Sequence, residues 1–323
     1  MSRFSDFMIE DGRLVKYQGR AKIVEIPDGV REIGMAAFAN CTFVKSVTIP
    51  AGVVEIATSA FSFCSALETV VIPAGVREIG MAAFSFCTSL TSLTVPAGID
   101  EIAAGLFAGC TSLATVTVPD AVTVIGEGAF AGCRALTSVR LPSGVTSIGK
   151  SAFGGCSSLR AITLPASLCE LSEGAFAECA SLTSVYFPQG VTKIAKRAFA
   201  RCTRLTEVGF ARDTTEIGEG AFSACVSLAA MKIPEGVVTV GRDAFRGCTG
   251  LADLTILDGV REIGTGAFSF CPALATVTLP ASVTVIGTGA FRECPALATV
   301  TAPAHLAETL RRECPQAGRF LLR

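Results

Sequence analysis

Cysteine is the most chemically reactive residue type in this chain, which contains 14 cysteines and one histidine. Twelve of the cysteines recur at intervals of 23 residues, from Cys41 to Cys294, and the other two are Cys169 and Cys314. No Cys-x-x-Cys pair and no Cys/His cluster occurs, so the spacing does not match a zinc site. The twelve periodic cysteines are therefore predicted to form a buried row of small polarisable side chains.

No other residue completes a catalytic arrangement. His305, the one histidine, occupies a turn position that Gly144 and Gly236 hold elsewhere, and we expect it to be a solvated loop residue. A Ser-His-Asp or Cys-His arrangement would need a histidine placed near a nucleophile. The glycines recur in turns and do not form a phosphate loop ahead of a long helix. The sequence predicts a protein that is not an enzyme, with no catalytic residue, no metal site and no cofactor.

The elements that position these residues follow from an internal repeat. Cysteine follows phenylalanine by three residues in every repeat, and proline recurs at the same interval from Pro27 to Pro303, except where Ala211 and Leu257 stand. The periodic phenylalanines are Phe38, Phe61, Phe84, Phe107, Phe130, Phe153, Phe176, Phe199, Phe222, Phe245, Phe268 and Phe291. Twelve repeats without an insertion or deletion predict a solenoid.

One repeat is enough to predict the path of the backbone. Val139 and Leu141 alternate with polar residues, which indicates a short strand, and Pro142 ends it because proline cannot donate to a continuing ladder. Residues 145–148 are predicted to form a second extended segment. The residues around Phe130 are predicted to form a helical turn that is too short to be stable alone.

Stacking of such coils buries the apolar edge that a single coil leaves exposed. The expected organisation is an N-terminal hairpin cap over residues 1–23, a repeat solenoid over residues 24–305 and a C-terminal cap over residues 306–323. In the last segment Leu306, Leu310, Phe320 and Leu321 follow a polar helical pattern. The solenoid is expected to be one elongated domain rather than two globular ones.

The repeated pattern Leu-x-x-Val-x-Leu-Pro-x-x-Val-x-x-Ile-Gly-x-x-Ala-Phe-x-x-Cys, complete from Leu136 to Cys156, resembles the BspA-like, treponemal-type leucine-rich repeats. The resemblance covers about residues 20–305. It implies a leucine-rich-repeat solenoid of about 12 repeats, a right-handed curved stack of coils with a parallel sheet on its concave face. Characterised relatives are often surface proteins of host-associated microbes with adhesive or partner-binding roles.

The composition and the N-terminal residues limit the expected cellular location and the expected classes of partner. The net charge of −1 gives no electrostatic footprint for nucleic acid, and no apolar run of about 18 residues exists to insert into a membrane. The first ten residues lack the apolar stretch of a secretory signal, which predicts a cytoplasmic protein. The alternative is a cell-surface or secreted protein, as the resemblance implies. Inter-coil disulfides would need a specific geometry, and a cytoplasmic setting would keep the thiols reduced.

The outward strand positions indicate where a protein partner would bind. Most carry Thr or Ser, which suit a solvated sheet face. The positions that interrupt this uniform face are Arg140, Tyr186, Glu207, Lys232 and Asp253. Because Tyr and Arg dominate interface energetics, we expect these five residues to form a partner-binding patch. The predicted function is a non-enzymatic protein-binding scaffold, and the alternative is an exported adhesin that binds host or neighbouring-cell proteins.

A second irregularity lies near the phenylalanine turns. Phe63 and Phe86 occupy a position held elsewhere by residues such as Gly132 or Glu178, and they are predicted to stack in adjacent coils. If exposed, they would form an apolar patch for self-association. The alternative is that they fold back to shield the core. A monomer is the default expectation.

Overall fold

Each 23-residue repeat forms one coil with a two-residue strand and a phenylalanine turn, and most coils also contain a three- or four-residue strand. The computed structural model describes residues 3–315 and 317–322. The chain divides into two units, Met1–Ser167 and Leu168–Arg323, and each unit is a stack of parallel coils. The predicted fold class, a parallel-sheet solenoid with a 23-residue repeat, is confirmed.

The first unit begins with a hairpin that closes one end of its stack. The short 3₁₀-helix Phe4–Asp6 leads into antiparallel strands Phe7–Glu10 and Arg13–Tyr17. Asp11 and Gly12 join them with φ angles of 47° and 79°, as a primed turn requires. The second strand then pairs in parallel with the first two-residue strand of the repeats, so the hairpin covers an otherwise open sheet edge.

The remaining strands of the first unit form two rows. In the longer strands the central residue is buried and its neighbours point outward; we call the outward side the long-strand face. These strands are Ile23–Glu25, Ser46–Thr48, Thr69–Val71, Ser92–Thr94 and Thr115–Thr117. The two-residue strands, whose second residue is buried, are Glu32–Ile33, Glu55–Ile56, Glu78–Ile79, Glu101–Ile102, Val124–Ile125 and Ser147–Ile148.

The second unit repeats this arrangement. Its longer strands are Ser184–Tyr186, Glu207–Gly209, Ala230–Ile233, Asp253–Ile256, Thr276–Thr278 and Thr299–Ala302, followed by Arg319–Leu322 at the C-terminus. Its two-residue strands are Glu170–Leu171, Lys193–Ile194, Glu216–Ile217, Thr239–Val240, Glu262–Ile263 and Val285–Ile286. The helices are the 3₁₀-helix Ala304–Leu306 and the α-helix Ala307–Glu313.

Three local expectations are corrected by the structure, the first of them at the strand predicted around Val139 and Leu141. Residues 134–146 contain no strand, although both side chains remain buried at 7% and 8% exposure. A three-residue strand depends on only one or two ladder hydrogen bonds, so loss of those few bonds removes the strand while the burial of both side chains persists.

The second correction concerns the C-terminal segment, where the helical pattern does not extend to Phe320 and Leu321. Those residues lie in Arg319–Leu322, a strand that pairs in parallel with Thr299–Ala302. An exposed last strand of a sheet offers unpaired backbone groups, and pairing satisfies one side of them. The cap therefore combines a short helix with one further strand.

The third correction concerns the phenylalanine segment, which is a series of β-turns rather than a helical turn. In the coil around Phe130, the N–H groups of Gly128, Phe130 and Gly132 donate to carbonyls of the next coil at 2.7–2.8 Å. The intervening N–H groups of Ala129 and Ala131 donate three residues back at 3.2 and 2.9 Å. A single helical turn would leave these donors without acceptors in the next coil, whereas the alternation ties each coil to its neighbour. It requires left-handed φ angles of 58° and 72° at Gly128 and Gly132.

Phenylalanine and cysteine form the core of both units. Within each unit the periodic phenylalanine rings stack on the equivalent ring of the next coil, with centroids 4.9–6.2 Å apart. Each cysteine thiol from Cys64 to Cys156, and from Cys202 to Cys294, donates to the carbonyl oxygen of the phenylalanine 26 residues earlier, at 3.0–3.4 Å. The cysteine row is buried, as predicted, and it also satisfies the backbone acceptors that the turns expose.

Glu313 closes the last turn of the second unit. In preceding coils the N–H of the equivalent turn residue donates to the next coil, as Gly266 does to Thr288. Gly289, in the last coil, donates instead to a Glu313 carboxylate oxygen at 2.7 Å, and that side chain is only 8% exposed. The helix therefore places a carboxylate where a further coil would place a carbonyl.

We predict that Glu313→Ala lowers the free energy of unfolding by about 1–3 kcal/mol, because it leaves a part-buried donor without an acceptor. Urea unfolding followed by circular dichroism measures this. The control Glu308→Ala, at an exposed position of the same helix, should change stability by less than about 0.5 kcal/mol. Equal effects of the two substitutions would contradict the capping role.

Candidate functional site

The long-strand face of the second unit carries an aromatic residue and three charged residues in four consecutive coils. Tyr186, Glu207, Lys232 and Asp253 all point outward and are exposed; we call this set the Tyr186 face. The strands align Tyr186 with Gly209, and Lys232 with Thr255. Strand alternation thus separates these side chains from the buried residues between them, such as the fully buried Val185.

Tyr186 is held flat against the neighbouring coil. Its ring lies over Gly209, where a Cβ atom would come within 2.5 Å of the Tyr186 Cδ1 atom. Because glycine has no side chain, the Tyr186 ring packs flat against residue 209, and 56% of Tyr186 remains exposed. The Tyr186 hydroxyl donates to the Glu207 carboxylate, and this hydrogen bond raises the pKa of Tyr186.

The charged residues beside this ring are arranged with alternating sign. Glu207 and Asp253 are anionic, and Lys232 lies on the strand between them. The Asp253 carboxylate accepts a hydrogen bond from the Thr276 hydroxyl, which fixes its orientation. The surface therefore offers one aromatic platform, two carboxylates and one ammonium group to a ligand.

Arg140 belongs to the first unit, whereas the other four predicted residues belong to the second. Its guanidinium is 2.8 Å from the Asp120 carboxylate, and the two side chains are 75% and 81% exposed. An ion pair this exposed contributes little to stability because solvent screens it. The structure thus brings together four of the five residues of the predicted patch within one unit.

Comparison with known proteins supports the assignment made from the repeat. A profile described as the BspA type leucine rich repeat region matches residues 16–137, 123–251 and 215–314, in six copies. The chain belongs to the BspA-type leucine-rich repeat family. No curated protein is similar to it at a significant level.

Several solved structures resemble this BspA-type chain. A leucine-rich repeat protein from Bacteroides ovatus is 26% identical with a TM-score of 0.74, covering 98% of this chain and 97% of its own. A leucine rich cell surface protein from Faecalibacterium prausnitzii is 29% identical with a TM-score of 0.52, covering 91% and 92%. A leucine-rich repeat protein from Eubacterium ventriosum, 22% identical with a TM-score of 0.61 over 87% and 88%, shows the fold alone.

The phenylalanines at the turn position two residues after the core ladder are partly exposed in this BspA-type protein. Phe63 and Phe86 stack with centroids 4.7 Å apart and ring planes within 2°, and they remain 48% and 43% exposed. They therefore do not fold back to bury themselves. Phe270, in the equivalent position of the second unit, has the Arg246 guanidinium 4.4 Å from its ring centroid. Self-association through Phe63 and Phe86 stays a prediction, and light scattering of the wild type and of Phe63→Ser/Phe86→Ser tests it.

The residues considered above as candidates for catalysis or metal binding, His305 among them, make structural contacts. A ring nitrogen of His305 lies 2.8 Å from the Val283 carbonyl oxygen, so His305 contacts the backbone of the preceding coil while the residue itself stays exposed. Across residues 3–315 and 317–322, no group of three or more His, Cys, Asp or Glu side chains could hold a metal ion. None of the helices in those ranges has the length and apolar character needed to cross a lipid bilayer.

Two features of the surface were not predicted from the sequence. Gly209 is needed beneath the Tyr186 ring, and a signal for it exists in the repeat, since Thr stands at this position in several other coils. Met35 and Met81 are 64% and 57% exposed on the edge formed by the phenylalanine turns. Comparing each turn position across all coils would have identified them, because the same position carries charged residues in later coils.

The thiols provide a direct check of the buried cysteine row. Cys169 is exposed and the other thirteen cysteines are buried. Burial raises the pKa of Cys202 to about 12, which keeps that thiol protonated and unreactive. We therefore predict that Ellman's reagent titrates one thiol rapidly in the native protein, that Cys169→Ser removes this phase, and that denaturant exposes all 14. Several fast-reacting thiols in the native protein would contradict the packing.

Proposed function

We propose that this protein is a non-enzymatic scaffold that binds a protein partner through the Tyr186 face. The observation that carries the proposal is the half-exposed Tyr186 ring, held flat over Gly209 and hydrogen-bonded to Glu207. A fixed aromatic ring loses little conformational entropy when a partner covers it. Tyrosine in such a position is typical of the residues that dominate binding energy.

The surrounding coils support this interpretation because they show what the repeat carries by default. In the last two full coils the outward strand positions are Thr276, Thr278, Thr299 and Thr301. Packing of the core places no demand on the outward positions, so the change to Tyr, Glu, Lys and Asp in four consecutive coils requires another cause. Recognition of a partner is a sufficient cause of this change, and the mixed charges would determine which partner binds.

The residues with catalytic potential support a binding role rather than catalysis. His305 contacts a backbone carbonyl, and thirteen thiols are buried. Leucine-rich repeat solenoids act as scaffolds because stacked coils present extended surfaces made of many similar positions.

The alternative, an exported adhesin that binds host or neighbouring-cell proteins, gains support from the relative described as a cell surface protein. The cytoplasmic expectation depends only on the first residues of the sequence. Protease treatment of intact cells separates the two. Loss of the protein under these conditions, with a cytoplasmic marker retained, favours the adhesin, whereas complete protection favours the cytoplasmic scaffold.

The proposed interface is tested by affinity measurements on a partner captured with the immobilised full chain. Tyr186→Ala should weaken binding by at least about tenfold, as expected for an interface hot spot. Thr117→Ala is the matched control, because Thr117 holds the same outward strand position in the first unit. Unchanged affinity of Tyr186→Ala, with an unaltered circular dichroism spectrum, would refute the assignment of this face.

A further inference from the structure

On one edge of the first unit, exposed turn positions that the repeat does not require to be apolar carry apolar residues. The phenylalanine turns expose four residues, with fractional exposures of 64% for Met35, 48% for Phe63, 57% for Met81 and 43% for Phe86; we call them the Met–Phe strip. The Phe86 ring lies over Gly109, and the Phe63 ring stacks on Phe86. The strip is therefore ordered but uncovered.

Several of the same positions in the second unit carry charged residues that pair with one another, although Phe270 repeats the residue type of Phe63. The position of Met35 and Met81 is held there by Lys196 and Glu219, whose charged groups are 3.1 Å apart. The position of Phe63 and Phe86 is held by Glu178 and Arg201, 3.2 Å apart. A turn of this geometry thus accepts solvated residues, so the apolar strip is not a consequence of the fold.

A column of carboxylates runs beside the strip. Glu32, Glu55 and Glu78 align in register on adjacent two-residue strands, and Glu101 holds the same position in the next coil. Arg13 pairs with Glu32 at 2.9 Å, at the N-terminal end of the column. Desolvation raises the pKa of Glu55, and the charges of Glu32 and Glu78 raise it further. In the second unit the equivalent position instead includes Lys193, which pairs with Glu216 at 3.1 Å.

The strip and the column share a surface. A cavity of about 480 Å³ that spans adjacent coils is lined by Glu78, Glu101 and Met81 together. Arg77 also lines this cavity, and its guanidinium donates to the Ala74 carbonyl oxygen at 3.1 Å. A ligand on this edge therefore contacts apolar side chains and carboxylates at once.

We propose that the Met–Phe strip and the Glu32–Glu55–Glu78–Glu101 column bind a basic amphipathic helix of a partner protein. Methionine and phenylalanine accept the apolar stripe of such a helix, and methionine adapts to its irregularities. The carboxylates receive the lysine or arginine side chains that flank the stripe. Parallel strands lie about 4.8 Å apart, so the column spans about 14 Å, the length of about ten helical residues.

The negative charge of the column favours a basic helix over two other occupants of this edge, a second copy of the chain and an anionic lipid surface. A second copy of the chain packed on the same edge would set one carboxylate column against the other, which is unfavourable. An anionic lipid surface would be repelled by the same column. The proposal does not depend on the Tyr186 face, because it uses residues of the first unit only.

The probe is a fluorescein-labelled peptide of leucine and lysine, about 18 residues long, with leucine at helical spacing. Fluorescence anisotropy with the full-length protein should show saturable binding that weakens as salt increases. Met81→Ser/Phe86→Ser should weaken it by at least about tenfold. Glu78→Gln/Glu101→Gln should weaken it as well and should reduce the salt dependence.

Matched controls distinguish specific binding at this site from nonspecific binding of a cationic peptide. A scrambled peptide of the same composition and a leucine–glutamate helix should both fail to bind. Glu216→Gln/Glu262→Gln, at the same repeat position in the second unit, and Tyr186→Ala should each leave binding unchanged. Binding that survives Tyr186→Ala supports this site whether or not the Tyr186 face itself functions.

Three outcomes would overturn the proposal. The first is equal binding of the scrambled or acidic peptide. The second is unchanged affinity of the strip and column variants. The third is a wild-type dimer in light scattering that Phe63→Ser/Phe86→Ser converts to a monomer, because a second copy would then be the occupant. All these substitutions are at exposed or half-exposed positions, and circular dichroism verifies that each variant is folded.

Discussion

Replacing Phe245 with alanine should lower the free energy of unfolding by about 3–5 kcal/mol. Phe245 is fully buried, and its ring stacks on Phe222 and Phe268 with centroid distances of 5.3 and 5.2 Å. The substitution therefore removes contacts with two coils and leaves a cavity between them. Because a solenoid is stabilised mainly by contacts between neighbouring coils, the loss should be near the upper end for a single core residue.

Phe270→Ala is the matched control for this prediction, since Phe270 lies in the adjacent coil, two residues after Phe268, but is 38% exposed. Urea unfolding of both variants, followed by circular dichroism, gives the comparison. Phe245→Ala should be the less stable by at least about 2 kcal/mol. If the two variants lose similar stability, the phenylalanine ladder is not the core of the stack.

Cys225→Asp should destabilise the protein at neutral pH by about 3 kcal/mol or more, as an uncompensated buried charge does. The Cys225 side chain is fully buried, and its thiol donates to the Phe199 carbonyl oxygen at 3.3 Å. A carboxylate in its place would set an acceptor against an acceptor. Burial would also raise the pKa of the new carboxyl group above its value in the unfolded chain.

The pH dependence of the stability of Cys225→Asp follows from the direction of this pKa shift, which is upward on folding. A group whose pKa is raised by folding favours the native state below its unfolded pKa, and this contribution is lost as pH rises through the folded pKa. The deficit of Cys225→Asp relative to wild type should therefore shrink from pH 7 towards about pH 4. Cys225→Ser, which keeps a donor, should be much less destabilising and show no such trend. A deficit independent of pH would contradict the donor role of this position.

The ladders were predictable from the sequence because they depend on the repeat alone. Each of the twelve periodic Phe and Cys residues lies 23 residues from its equivalent, so a stack of identical coils brings them together. The backbone of the turn was not predictable in this way. Ser59 and Ala82 adopt left-handed φ angles of 56° and 53°, a conformation that these residue types do not favour. Hydrogen bonds to the next coil impose it, and those bonds exist only after stacking.

The candidate site was predictable where strand alternation decides it. The outward direction of Tyr186, Lys232 and Asp253 follows from the buried residue beside each of them, and Glu207 holds the same strand position as Asp253. The pairing of Arg140 with Asp120 was not predictable, because the two residues lie 20 positions apart and so fall outside the 23-residue period. The flat placement of Tyr186 depends on a side-chain conformation that only the neighbouring coil determines.

The central claim is that a partner lies on the Tyr186 face, and site-specific photo-crosslinking tests it most directly. Benzoylphenylalanine is incorporated in place of Tyr186 in one preparation and in place of Thr117, its equivalent in the first unit, in another. We predict that irradiation in extracts and on intact cells yields a discrete crosslinked protein from position 186 that is not obtained from position 117, and that Lys232→Ala/Asp253→Ala diminishes it. Identical crosslinking from both positions, or none from position 186, would contradict the account.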